Sequence, residues 1–201
     1  MIEKIAIALF SYLIGSIPPA YLIGKCAFHM DIRKRGSGNS GATNALRTMG
    51  AAAGIVTLLF DVGKGFLCVW CGGSIAGTDG ACYAALFVVL GHCFSIFLRG
   101  KGGKGVATGF GALLGLCPNL AVPVVLVFVI TIGVTRLVSL SSILATGSAS
   151  IAAYMAGVRG GILATICLLV ALIVVRHHAN IRRLLRGEEK PIVRSKMKEK
   201  Y

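Results

Sequence analysis

Charged residues are scarce in this 201-residue chain. They make up 14% of it, and only seven are Asp or Glu. Soluble domains usually carry about 25% charged residues. A soluble globular fold is therefore excluded, because the chain has too few polar residues to cover its surface. The shortage of carboxylates also argues against a two-metal phosphoryl-transfer site, which is built from several of them.

Several well-known site patterns are missing too. The chain has no HExxH metal motif, no GxSxG nucleophile turn and no cysteine cluster with metal-ligand spacing. Its seven cysteines lie mostly in apolar runs and are predicted to be reduced packing residues. Cys68 and Cys71 form a CxxC, but in an apolar run that favours packing over redox chemistry. We expect no metal and no other cofactor.

Apolar residues are abundant, at 56% of the chain, and the mean hydropathy is +0.82. A membrane-spanning helix needs about 20 mostly apolar residues. Seven stretches are candidates, and the first is bent by the Pro18-Pro19 pair: 2–24, 51–77, 81–98, 105–117, 119–135, 138–156 and 160–176. The sequence predicts an all-α, polytopic membrane bundle of about seven spans in a single domain, 1–201.

Basic residues orient this bundle. Lys and Arg number 21 and give a net charge of +14. With the N-terminus outside and the C-terminus in the cytoplasm, all of them except Lys4, Lys64 and Arg159 fall on or next to the cytoplasmic side, as the positive-inside rule requires. Nucleic acid is disfavoured as a partner, because the basic residues alternate with membrane-length runs. The same topology brings three polar segments to the cytoplasmic face: 26–50, 91–108 and 177–201.

The first polar segment contains the string GSGNSGATNALR, residues 36–47. Its glycines allow several backbone N–H groups to point into one anion-binding concavity, and a helix predicted to begin near Asn44 would add its N-terminus. Arg47 offers a planar fork to a phosphate. A flexible connector is the alternative, but the ordered glycine spacing favours a phosphate cradle made by Gly36, Ser37, Gly38, Asn39, Gly41, Thr43 and Asn44.

The second polar segment contains RGKGGKGVAT, residues 99–108. Lys101 and Lys104 stand among glycines, Gly102 and Gly103 included, so the loop is predicted to wrap round an anion. The alternative is a simple positive-inside anchor, which would not need the glycines. His92 precedes this loop at membrane depth, and its role as a substrate ligand or as a hydrogen-bond partner inside the bundle stays open.

The third polar segment begins HHANIRRLLRGEE, residues 177–189. A basic interfacial helix on anionic lipid accounts for Arg182 and Arg186. It does not account for His177 and Asn180, which helical spacing places on the inner face at the membrane boundary. Asp61 and Lys64 form a further pair, at i and i+3 inside a span. A structural brace and a direct ligand role remain equally open for that pair.

These segments, GSGNSGATNALRTMG, GHCFSIFLRGKGGKGVAT and HHANIRRLLRGEE, resemble in order the signatures of the bacterial acyl-phosphate:glycerol-3-phosphate acyltransferases. SIPPAYLIGK is similar to that family as well, and the resemblance runs from about Gly15 to Glu189. Two positions depart from the pattern: Ser95 replaces a usual proline, and Gly100 a usual aromatic residue. The HxxxxD signature of acyl-CoA-dependent glycerolipid acyltransferases is lacking, since Phe97 and Arg182 stand at the fifth positions after His92 and His177.

The resemblance implies an inner-membrane enzyme whose active site faces the cytoplasm. It would transfer a fatty acyl group from acyl phosphate to the first hydroxyl of sn-glycerol 3-phosphate, giving lysophosphatidic acid and phosphate. This is the first acylation of bacterial phospholipid synthesis. Membrane lipid and the soluble phosphate acyltransferase that supplies the donor would be its partners. Carried over by residue, the polar core of the site would be Ser37, Arg47, Lys104, His177 and Asn180.

Two mechanisms and two rival functions remain. Either His177 or a substrate phosphate takes the hydroxyl proton, and the good leaving group favours the phosphate. A transporter of phosphorylated metabolites is the main rival function, although no inverted repeat is visible. A membrane scaffold is the other, and it would not need three matched polar segments.

Overall fold

The computed structural model describes residues 1–192. The basic tail from residue 193 onward, which belongs to the predicted segment 177–201, lies outside the described residues. Within the described part, regular structure consists of short 3₁₀ turns and nine α-helices: α1 Ile2–Ser16, α2 Pro19–Ala27, α3 Ala42–Met49, α4 Ala51–Cys93, α5 Val106–Leu116, α6 Ala121–Thr135, α7 Val138–Met155, α8 Gly160–Arg176 and α9 His178–Leu185. The all-helical prediction is confirmed.

The break between α1 and α2 lies at the predicted prolines. Ile17 is extended, and Pro19 occupies the first helical position of α2. Proline suits that position because its missing N–H would have no intrahelical partner there. The bend leaves the carbonyl of Ile17 free to accept a hydrogen bond from another helix.

Helix α4 is a hairpin of two arms. Its backbone leaves the helical region at Ala76 and Gly77. Gly72 and Gly80 pack backbone to backbone, whereas residues eight positions apart in a straight helix are about 12 Å apart. The chain therefore reverses here, which agrees with the prediction of two separate stretches, 51–77 and 81–98.

The second arm of α4 ends earlier than predicted. The helix stops at Cys93, and a 3₁₀ turn over Ile96–Leu98 follows. Ser95, which stands where the similar family usually has proline, donates its hydroxyl hydrogen to the carbonyl of Ser16 at 2.6 Å. The turn is thus fastened to the end of α1 by a side-chain hydrogen bond.

Helix α5 is short. Its 11 residues span about 16 Å, roughly half of a hydrocarbon core of about 30 Å. Among the described residues, four helical stretches are long and apolar enough to cross a membrane, or five if the bent pair α8 and α9, at 59°, counts as one span. The predicted seven crossings and the orientation of the termini stay predictions.

Glycines allow the helices to cross closely. A β-carbon on Gly111 of α5 would collide with the carbonyl of Val62 in α4, and one on Gly65 with the carbonyl of Thr108. Small residues of this kind mark helix contacts in membranes, where close backbone approach replaces the hydrophobic effect as the main source of packing energy. The abundant glycines are therefore partly packing residues.

This packing gives a prediction. Gly111→Ala is expected to destabilise the protein by about 1–3 kcal/mol, because the added methyl group meets backbone that cannot move aside. Gly133→Ala in α6 is the matched control, since nothing lies within 4 Å of its β-carbon position. Thermal unfolding in detergent should show a lower midpoint for the first variant only. Equal midpoints would contradict the close α4–α5 crossing.

Candidate active site

One cavity of about 1570 Å³ has a polar end and an apolar arm. All five residues predicted for the polar core line it: Ser37, Arg47, Lys104, His177 and Asn180. The apolar arm runs between α5, α6, α7 and α8 and is lined by residues such as Phe110, Leu113, Val124, Phe128, Ala145 and Leu169. The structure therefore brings the three polar segments to the mouth of a channel with hydrocarbon walls.

The loop 36–41 is shaped by one buried amide. The side chain of Asn44 donates to the carbonyls of Ile32, Arg35 and Asn39 at 3.3, 3.1 and 2.9 Å, and it accepts from the N–H of Ser37 at 2.9 Å. Gly36 has a φ of +58°, and a β-carbon on it would strike the Asn44 oxygen. The amide of Asn44 is thus occupied within the loop that it shapes.

Helix α3 begins at Ala42, two residues before the predicted start. Gly41 caps it, and the first N–H groups of a helix have no intrahelical partner. Gly36, Ser37, Asn39, Gly41, Thr43 and Asn44 all line the cavity. Gly38 is not among the lining residues; its φ of +72° serves the turn behind them.

The second loop presents one of its two lysines to the cavity. Lys104 is half-buried and lines it, whereas Lys101 is exposed and does not. Gly102 and Gly103 are buried and lie against His92 instead of lining the cavity. The backbone of Gly102 and Gly103 is therefore packed onto α4, and the loop contributes Lys104 and Gly105 to the cavity lining.

Arg176 holds the same loop from the other side. Its guanidinium donates to the carbonyls of Gly102 and Gly103 at 3.3 and 3.0 Å and lies 5.1 Å from the centre of the Phe94 ring. Nothing in the local sequence indicates this role, because Arg176 is one more basic residue at the end of an apolar run. Arg176 also lines the cavity.

The third segment supplies two buried side chains, His177 and Asn180. His177 Nδ1 lies 2.8 Å from the carbonyl of Ile173, so Nδ1 carries the hydrogen and the neutral ring keeps its lone pair on Nε2. Asn180 donates to Glu189 Oε1 at 2.7 Å, and Arg183 donates to Oε2 at 2.6 Å. Glu189 thereby fixes the amide of Asn180. The local sequence does not indicate this role, because Glu189 simply follows a run of basic residues.

Residues 188–192 cross the mouth of the cavity as a C-terminal strap. Arg47 donates to the carbonyl of Lys190 at 3.2 Å, and the N–H of Ile192 donates to the carbonyl of Arg136 at 2.8 Å. The strap lines the cavity. Among the described residues that line the cavity, five carry a cationic side chain and three an acidic one. The cationic residues are Arg47, Lys104, Arg176, Arg183 and Lys190, and the acidic ones are Asp61, Glu188 and Glu189.

His92 and Asp61 also line the cavity, where they meet Lys64 in a buried group. The part of the chain that the structure describes holds no cluster of three or more His, Cys, Asp or Glu side chains able to bind a metal ion. The chemistry available at the mouth is therefore that of fixed positive charge and hydrogen-bond donors. Such an arrangement binds an anion and stabilises negative charge that develops on it.

Comparison with known proteins agrees with this arrangement. A sequence model of the glycerol-3-phosphate acyltransferase family matches residues 5–187. A glycerol-3-phosphate acyltransferase of Carboxydothermus hydrogenoformans is 41% identical over 185 residues, which cover 92% of this chain and 94% of that one. One from Staphylococcus aureus is 39% identical over 199 residues, which cover 94% and 97%.

Two crystal structures are similar over the whole bundle. Both are of PlsY (YgiH), an integral membrane glycerol 3-phosphate acyltransferase. Its glycerol 3-phosphate form superposes with a TM-score of 0.91 at 37% identity and covers 94% of this chain and 96% of that one. Its lysophosphatidic acid form gives 0.87 at 36% identity and covers 94% of each. With the family match over nearly its full length, the chain belongs to the glycerol-3-phosphate acyltransferase family.

Proposed function

We propose that this protein transfers a fatty acyl group from acyl phosphate to the first hydroxyl of sn-glycerol 3-phosphate. The products are lysophosphatidic acid and inorganic phosphate, and the reaction is the first acylation of phospholipid synthesis. The observation that carries the proposal is the two-part cavity, in which a cationic mouth opens directly into an apolar arm. Relatives named as glycerol-3-phosphate acyltransferases support the acceptor.

The size and polarity of the cavity suit these substrates. At about 1570 Å³ it exceeds the range of about 300–1,000 Å³ that is usual for small-molecule pockets. Its apolar arm fits a fatty chain, while the mouth fits the two phosphates of donor and acceptor. Acyl phosphate brings its own activated carbonyl and a good leaving group, so the protein needs neither a nucleophile nor a cofactor.

In the proposed reaction the hydroxyl oxygen of glycerol 3-phosphate forms a bond to the acyl carbon. The bond between that carbon and the bridging phosphate oxygen breaks, and the electron pair leaves with the phosphate. The loop 36–44 cradles one phosphate, and Arg47 and Lys104 neutralise charge. His177 and Asn180 orient the acceptor. These fixed charges also stabilise the oxyanion of the tetrahedral intermediate.

The hydroxyl proton goes to a substrate phosphate in this proposal. His177→Asn is therefore expected to keep near-normal turnover at saturating substrate, with a raised KM, because an asparagine amide preserves a donor near the Nδ1 position. Steady-state kinetics separate the two parameters. A loss of over about a thousandfold in kcat, with substrate binding intact, would make His177 Nε2 the base instead.

The pH dependence of acceptor binding follows from Lys104. Burial lowers the pKa of its ammonium group to about 8, and Arg183, Arg47 and Arg176 act in the same direction while Glu189 opposes them. Lys104 is charged below this pKa and loses its charge as the pH rises through it. We expect the KM for glycerol 3-phosphate to rise several-fold between pH 7 and pH 9, because the site loses one positive charge that binds the substrate phosphate. The rise should be absent in Lys104→Arg, since arginine stays protonated.

The membrane placement is part of the proposal. A site facing the cytoplasm of the inner membrane, with the N-terminus outside and seven spans, agrees with the distribution of Lys and Arg. It would let the donor arrive from a soluble phosphate acyltransferase. The relatives and structures reported above are named as acyltransferases and lend the transporter alternative no support.

Donor specificity tests the function. Purified protein in detergent is given labelled glycerol 3-phosphate together with palmitoyl phosphate, palmitoyl-CoA or palmitoyl-acyl carrier protein. We expect label in lysophosphatidic acid with palmitoyl phosphate alone. Product formation that depends on either thioester instead would contradict the proposed donor. The Lys104→Met variant, purified in parallel, controls for contaminating acyltransferases.

A further inference from the structure

Three buried polar side chains adjoin the polar end of the cavity without a role in the mechanism above. Asp61 and Lys64 belong to the first arm of α4, and His92 belongs to the second. Lys64 Nζ lies 2.8 Å from Asp61 Oδ1, and His92 Nδ1 lies 3.2 Å from the same oxygen. One carboxylate thus joins both arms of the hairpin. Buried ionisable groups inside a membrane protein are costly, so their presence points to a function.

This group is attached to backbone at two places. Lys64 Nζ donates to the carbonyl of Ile17, at the break between α1 and α2, at 3.0 Å. At the other end, the N–H of Gly103 donates to the carbonyl of His92 at 3.0 Å. A β-carbon on Gly103 would strike His92 Nε2, so the ring lies directly against this glycine. Lys104 is the next residue along the chain.

Protein therefore packs against both ring nitrogens of His92. Nδ1 faces Asp61, and Nε2 faces Gly103. A ring held in this way is ill placed to move between substrate and solvent, but it is well placed to fix the backbone that carries Lys104. Asp61 in turn fixes the orientation of the ring, as a carboxylate does for a histidine in many sites.

We propose that Asp61 is a positioning residue for Lys104. It orients His92 between the arms of α4, His92 holds Gly103, and the phosphate-binding ammonium of Lys104 is thereby kept at the mouth. Lys64 compensates the buried charge of Asp61 and anchors the group at the bend after α1. The proposal rests on the proposed function, because it assigns Lys104 to substrate binding.

A paired substitution tests it. Asp61→Asn with Lys64→Met removes both buried charges at nearly constant volume, so neither charge is left unpaired. The matched control is Lys4→Met with Asp79→Asn, which removes an exposed ion pair that also links α1 to α4. We expect the KM for glycerol 3-phosphate to rise at least about tenfold in the first double variant and to stay within about twofold in the control. An unchanged KM in a folded first variant overturns the proposal.

Coupling to Lys104 separates positioning from general support of the fold. If Asp61 acts through Lys104, adding the paired substitution to Lys104→Met should cost less than about threefold in kcat/KM. If the loss in kcat/KM of the combined variant equals the product of the two separate losses, Asp61 acts independently of Lys104 and the proposal is overturned.

A second variant covers the case in which the paired substitution does not fold. His92→Asn keeps a donor near the Nδ1 position and so keeps Asp61 paired, but it removes the ring atoms that lie against Gly103. The same rise in KM is expected, and a wild-type KM overturns the proposal. Wild-type protein that makes no lysophosphatidic acid contradicts the proposed function, whereas active wild type with unaltered variants contradicts the positioning role alone.

Discussion

Lys104→Met is expected to lower kcat/KM for glycerol 3-phosphate acylation by about 10²–10³, the usual cost of removing a preorganised charge from a transition-state site. The methionine keeps most of the length and the apolar stem of the side chain and removes only the ammonium group. Lys104 is half-buried at the mouth of the cavity, where water screens its charge less than at an open surface.

The neighbouring lysine is the natural comparison. Lys101 belongs to the same loop and carries the same charge, but it is exposed and does not line the cavity. Lys101→Met is expected to change kcat/KM by less than about threefold, as is usual for one exposed charge. Equal losses in the two variants would show that the loop acts through its total charge and would contradict the assignment of Lys104.

Asn44→Asp is expected to reduce activity by about a hundredfold while the protein remains membrane-inserted. Aspartate has the same shape as asparagine but no hydrogens to donate, so three backbone carbonyls lose their donor and face a carboxylate. One unsatisfied buried group costs about 1–3 kcal/mol, and when about 3 kcal/mol disfavours the substrate-binding shape of the loop, the rate falls roughly a hundredfold.

The loss should appear in kcat/KM, because the loop 36–41 would no longer hold its shape. Asn119→Asp is the matched control, since Asn119 is exposed in the turn before α6. The two variants carry the same charge change, and only the first alters the loop. Wild-type kinetics in Asn44→Asp would contradict the view that this amide shapes the phosphate cradle.

The all-helical, membrane-embedded character of the chain could be predicted because long apolar runs leave it few alternatives in a bilayer, whereas the number of spans could not. The break at Pro18-Pro19 and the division of 51–98 into two stretches follow from proline and from polar residues between runs. The end of the second stretch was misplaced by five residues. Two residues after the helix ends, Ser95 is hydrogen-bonded to Ser16, and such a long-range contact leaves no periodic trace in the sequence.

The site was predictable to the extent that its residues lie in unusual local sequence. Glycine-rich strings identified the loops that carry Ser37 and Lys104. Glu189 and Arg176 were missed as functional residues because their importance comes from partners far along the chain or across a turn. The prediction that Lys101 binds phosphate had the opposite fault: Lys101 shares its local sequence pattern with Lys104, but in the folded loop it is exposed and does not line the cavity.

In the reaction proposed above, the acyl group passes directly from acyl phosphate to glycerol 3-phosphate in one cavity, without a covalent acyl-enzyme. The most direct measurement follows both products in one reaction, with purified protein, palmitoyl phosphate and labelled glycerol 3-phosphate. We expect lysophosphatidic acid and inorganic phosphate in equal amounts, each dependent on both substrates and both lost together in Lys104→Met. Phosphate released from palmitoyl phosphate at the full rate without glycerol 3-phosphate would contradict this direct transfer.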